Sequence, residues 1–127
     1  MLHNLFIVNS VSGIPLGTVK LSDEGIEEKE AELISTSIKA IRDFFNTLEF
    51  GDLETFQFFK KQIIIHKKEH VLIMLVCEKE TNLNLLQPKL ELIAMMFEKA
   101  IEWFKWDGII SKYDELIESA KNLLLEQ

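Results

Sequence analysis

One cysteine and one arginine stand among 127 residues, and each scarcity excludes a class of molecule. Cys77 alone forms no internal disulfide, which suits a reducing compartment and leaves the fold to its core. It sits inside "VLIMLVC", the setting of a buried, inert thiol rather than a nucleophile. Arg42 is the sole arginine, and 21 acids outnumber 14 bases for a formal charge of −7. Duplex binding needs several phosphate-facing Lys or Arg, so nucleic acid is not an expected partner. The Lys60-Lys61 and Lys67-Lys68 pairs fit solvated strand ends and turns.

Long hydrophobic runs are missing as well. The longest, Val71 to Cys77, is far short of the ~20 residues that span a bilayer. The N-terminus has no basic n-region, and no lipidation signal is apparent. The expectation is a cytoplasmic protein without direct membrane insertion.

Glycine loops for phosphate are also absent. Gly13 and Gly17 in "LFIVNSVSGIPLGTVKL" are four apart, with no Lys before Thr18 and no helix following. The patch reads as the turn of a hairpin. His66 and His70, four apart in "HKKEH", straddle a predicted hairpin turn and read as solvated, and His3 does not complete a ligand set. The acids Asp23, Glu24, Glu27, Glu28 and Glu30 lack EF-hand spacing and complement the start of a helix. A Ser–His–acid site remains open, since triads assemble from distant segments, but no G-x-S-x-G elbow occurs. No catalytic, metal or cofactor residue is assigned, and an enzyme is not expected.

What the chain does contain is apolar residues, at 47%, in clear patterns. Leu5 to Val8 is apolar on both faces, as in a covered central strand, and "LGTVKL" suits an edge strand. Leu33, Ile34, Ile38, Ile41, Phe44, Phe45 and Leu48 recur at helical spacing, predicting a helix from about Ile26 to Leu48. Its small flank of Ser35, Thr36, Ser37 and Ala40 is expected against the sheet. "LETFQFF", "QIIIHK" and "HVLIMLVCEK" read as three strands, the last covered on both faces.

"TNLNLLQPKLELIAMMFEKAIEWF" is a second helix. Asn84 and Gln87 have capping-box spacing, Pro88 is expected in the first turn, and Leu90, Ile93, Ala94, Phe97, Ile101 and Phe104 form the buried stripe. A third helix begins near Ser111. The expected class is α/β in the broad sense, α+β in detail. It is one domain, residues 1–127, with a core over 1–104 and a C-terminal helix in 105–127. Its order is β-β-α-β-β-β-α-α, a five-stranded, mostly antiparallel sheet between one long helix and two C-terminal helices.

"LFIVNSVSGIPLGTVKL" leading to "ELISTSIKAIRDFF" resembles the longin domain, and most of all the small stand-alone longin-like proteins of archaea. The likeness spans roughly Leu5 to Phe104. In "FKWDGIISKYDEL", Trp106, Gly108, Ser111 and Tyr113 match a W-x-G-x-x-S-x-[FY] ending. The related roadblock domain usually begins with a helix, whereas this chain begins with a strand.

The resemblance implies first and fifth strands at the centre of the sheet and a non-catalytic role in protein–protein interaction. It implies a small GTPase, or another longin or roadblock protein, as partner in a homo- or heterodimer. The implied protein-binding surface joins the second strand to the first helix: Leu16, Thr18, Val19, Lys20, Ser37 and Ile41. With the chain ending at Gln127, no SNARE heptad segment is expected. The rival reading is a structural subunit of a trafficking-type scaffold or tether without GTPase contact. A third is a small-molecule sensor or enzyme with a pocket between the first helix and the sheet.

Overall fold

The computed structural model describes residues 2–10, 15–23, 25–27, 30, 33, 36–40, 42–43, 55–58, 60–104 and 114–125; the side chains of 56, 58 and 101–104 lie outside this set. The chain is a mixed α+β protein built on an antiparallel sheet. Its strands are β1 (Leu2–Asn9), β2 (Pro15–Lys20), β3 (Thr55–Phe58), β4 (Lys61–Lys67) and β5 (Val71–Glu78). They lie side by side in the order β2-β1-β5-β4-β3. Residues 30, 33, 36–40 and 42–43 are helical and are termed α1. Two further helices follow β5: α2 (Leu83–Phe104) and α3 (Asp114–Leu125).

Unbroken apolar runs make β1 and β5 inner strands. Every residue from Val71 to Cys77, and from Leu5 to Val8, is fully buried. Alternation divides these side chains between two cores. Leu5, Ile7, Ile73, Leu75 and Cys77 face α2 and α3, where Leu90, Ile93, Phe97, Ala120 and Leu124 meet them. Phe6, Val8, Leu72, Met74 and Val76 face the other way and pack with Ile38 of α1. The sheet is thus covered on both faces. Truncating a side chain such as Leu75 to Ala should cost about 2–5 kcal/mol through lost burial and the cavity left behind.

Several element boundaries differ from the sequence reading, each for a local reason. Ile26 is not helical; its backbone is held by the Asn4 side chain. On α1, Ile38 and Arg42 are buried one turn apart, which turns Leu33, Thr36, Ser37 and Ala40 outward. The small residues therefore face away from the sheet. Ser35, Ile34, Ile41, Phe44, Phe45 and Leu48 lie outside the described residues.

Helix α2 starts at Leu83, capped by Asn82, whose Oδ1 accepts the Asn84 N–H at 3.0 Å. An Asn side chain there satisfies a donor that the first helical turn leaves open. Asn84 is accordingly inside the helix, and Pro88 lies beyond the first turn rather than within it. Both residues are exposed, so the Asn84 carbonyl that loses its i+4 donor opens to solvent. Helix α3 is described from Asp114, the expected start near Ser111 lying outside the described residues, and its Asp114 and Glu115 favour the positive end of the helix dipole. Among the described residues no helix is long and apolar enough to cross a membrane.

Candidate functional site

Among the described residues, strand β2 ends the sheet with β1 as its single strand neighbour. The register pairs Leu5 with Val19, Phe6 with Thr18 and Asn4 with Lys20. Beyond the strand, the Leu21 N–H donates to the His3 carbonyl at 2.8 Å, so Leu21 turns its backbone toward β1. In an antiparallel ladder this orientation repeats every second residue, so Val19 and Gly17 also turn inward while Thr18 and Lys20 offer N–H and C=O to the outer edge. An irregularity between Ile7 and Val8 shifts the register before Pro15.

The surface residues expected from sequence separate under this geometry. Leu16 is fully buried in the core, and Val19 is partly buried against that core. Leu16 therefore presents no side-chain surface to a partner. Thr18 is half-buried. Lys20 is exposed and its Nζ lies 2.7 Å from Glu27, whose hydrogen bond raises the lysine pKa above its ordinary value. Ser37 is exposed and donates to the Leu33 carbonyl at 2.9 Å. Ile41 lies outside the described residues.

Helix α3 covers one face of β2 at very short range. A Cβ built on Gly17 would lie 2.2 Å from Ile117 Cδ1, so any larger residue there must push the Ile117 side chain aside. The third helix therefore packs on its own sheet, over that face of β2.

Two histidines read as solvated are instead tied to α2. Glu91 and Glu98, seven residues apart, lie on one side of the helix, which runs past the β4–β5 turn. His66 Nε2 lies 2.5 Å from Glu91, which also pairs with Lys68. That lysine, and then His66, hold the Glu91 carboxyl below its ordinary value. His70 Nδ1 hydrogen-bonds Glu98, and the His70 backbone N–H donates to both Glu98 oxygens at 3.1 Å. The sequence signal was available as two acids at i and i+7 beside two histidines at i and i+4. Only the packing of α2 on the hairpin pairs them.

His3 joins elements far apart in the chain. It is fully buried, with Nδ1 3.2 Å from Ser22 Oγ and Nε2 3.0 Å from Glu78. Nε2–H donates to the carboxylate, leaving Nδ1 to accept from the hydroxyl. The row has the connectivity of a serine, base and acid. A general base must also pass its proton to a leaving group beside the serine, and a ring with no exposed surface has no room for one. The row reads as a buried tie between the residues after β2 and the end of β5. Cys77 is buried, and desolvation pushes its thiol pKa up, away from nucleophilic reactivity.

No family model matches the chain, and no curated protein matches it.

Proposed function

We propose that this protein is a non-catalytic interaction module of the longin type that binds or regulates a small GTPase, as a homo- or heterodimer or as a subunit. The observation that carries the reading is the edge of β2, unpaired on its outer side among the described residues, with the Thr18 and Lys20 backbone groups directed away from β1. An edge of this kind accepts a strand from a partner through main-chain hydrogen bonds, and side chains then set specificity.

Two further features support the reading. The order β2-β1-β5-β4-β3, with α1 on one face and α2 and α3 on the other, agrees with the arrangement implied by the longin resemblance. The outer side of α1 carries Leu33, 70% exposed, with small exposed residues Thr36, Ser37 and Ala40, so a partner backbone can approach closely. The docking surface is then Thr18, Lys20 and Ser37, backed by Leu16 and Val19; Ile41, the remaining residue of the expected surface, lies outside the described residues.

The test is retention of small GTPases on the immobilised full chain, with lysate loaded in parallel with GDP or a non-hydrolysable GTP analogue. Retention in one nucleotide state alone is the expected outcome. Partners retained equally in both states would instead favour a scaffold or tether subunit.

A further inference from the structure

We propose that Glu69, His70 and Glu98 form a binding site for a divalent first-row transition ion, with zinc as its natural probe. One ligand atom from each, a carboxylate oxygen from Glu69 and Glu98 and a ring nitrogen from His70, lies within 4.8 Å of the others. Tetrahedral zinc with bonds of about 2.0–2.1 Å holds its ligands roughly 3.4 Å apart, so the farthest pair must close by up to about 1.4 Å while the hydrogen-bonded His70–Glu98 pair opens to that spacing. Glu69 is exposed and supplies that movement; the other two residues are already in contact. One imidazole and two carboxylates form a mixed nitrogen–oxygen set suited to zinc, and two negative charges balance the ion.

The scaffold beneath the cluster is unusually well tied. Lys68 N–H donates to the Val71 carbonyl at 2.8 Å, which leaves Glu69 and His70 as a two-residue hairpin loop. Loops of this length ordinarily recruit Asn and Gly. Here neither is present, and contacts from outside the hairpin hold the backbone instead. Ser10 donates through Oγ to the Glu69 carbonyl at 2.8 Å and through N–H to the His70 carbonyl at 3.0 Å. Glu98 accepts the His70 N–H. A strand, a turn and a helix thus converge to aim two of the three ligands, the preorganisation that a metal site requires.

Two lysines stand beside the cluster, and Lys99 is exposed to solvent. Lys68 is engaged by Glu91. A cavity of about 270 Å³ lined by Lys68, Met95, Glu98 and Lys99 adjoins the cluster and gives a route of entry. On binding, the ion takes the place of the proton on His70 Nδ1, and by exchange through solvent the neutral ring carries its single proton on Nε2 instead. Glu98 exchanges a hydrogen bond to the ring for a bond to the metal. Three protein ligands leave a position for water or an exchangeable ligand.

Isothermal titration of the full chain with Zn²⁺ alone at neutral pH tests the site, with Co²⁺ absorption reporting its geometry. The expected result is one ion per chain, weakened roughly tenfold or more by Glu69→Gln and by His70→Ala. His66→Ala, outside the cluster, should bind as the natural sequence does. Glu69 is exposed and makes no ion pair among the described residues, so Glu69→Gln decides the matter if His70→Ala does not fold. No saturable binding, or binding equally tight in Glu69→Gln, would overturn the proposal.

Discussion

The Asn4 side chain grips the backbone of Ile26 from both sides, donating through Nδ2 to its carbonyl at 2.8 Å and accepting its N–H at 2.7 Å through Oδ1. The amide imitates a neighbouring strand and fixes the chain on its way from β2 to α1. Asn4 is only 1% exposed, so nothing replaces these bonds when the side chain is shortened. Asn4→Ala should therefore lose about 1–3 kcal/mol, the cost of leaving paired groups unsatisfied. Urea denaturation measures it, and a midpoint equal to that of the natural sequence would refute the clamp.

Close approach of α3 to β2 predicts a coupled pair. Gly17→Ala drives a methyl into Ile117 and should destabilise by about 1–3 kcal/mol. Ile117→Ala removes the obstructing atoms, so the double variant should be more stable than the sum of the two single losses. A double-mutant cycle by denaturation reads the coupling directly. Strict additivity would mean that the third helix does not rest on Gly17.

Burial of Cys77 predicts chemical silence. The thiol pKa is raised, first of all by desolvation, and the residue is fully buried in β5. Iodoacetamide should leave the native protein essentially unlabelled at neutral pH and modify one thiol per chain in denaturant. Rapid labelling without denaturant would contradict the packing of β5 against α2.

Acid should weaken the hold of α2 on the hairpin. Hydrogen bonding to Lys68, and then to His66, lowers the Glu91 pKa from its ordinary value of 4.5. A carboxyl with a lower pKa in the folded state adds stability above its unfolded pKa and loses it as pH falls through the folded one. The Glu91 side chain is 38% exposed, so the contribution is about 0.2–1 kcal/mol. Glu91→Gln should lower the urea midpoint at pH 7, and the gap should narrow toward pH 3. A gap that widens in acid would reverse the assignment.

Much of this fold was legible because the strongest patterns were the buried ones. The all-apolar runs of β1 and β5 announced strands covered on two faces, and the spacing of Leu90, Ile93, Ala94 and Phe97 announced the inner side of α2. Legibility failed where tertiary contact overrides local preference. Asn4 holds Ile26 out of the helix its acidic neighbours suggested, and Asn82 caps α2 two residues before the spacing of Asn84 and Gln87 pointed. On α1 the buried side includes Arg42, a residue that no apolar periodicity marks. The candidate surface was only half readable, since alternation separates Thr18 and Lys20 from Val19 only once the inward bond of Leu21 sets the phase. The matching spacings of Glu91 with Glu98 and of His66 with His70 were readable, but not that these residues would meet, since the partners lie 25 and 28 residues away on another element.

The most direct test of the central claim is a comparison of small-GTPase retention by the natural chain and by Thr18→Pro. Proline at 18 removes an N–H that faces the outer edge and spares the ladder to β1, so the variant should keep its fold by circular dichroism. The account predicts that the natural chain retains a GTPase in one nucleotide state and that folded Thr18→Pro retains none. Undiminished retention by the folded variant, or retention blind to nucleotide, would contradict it.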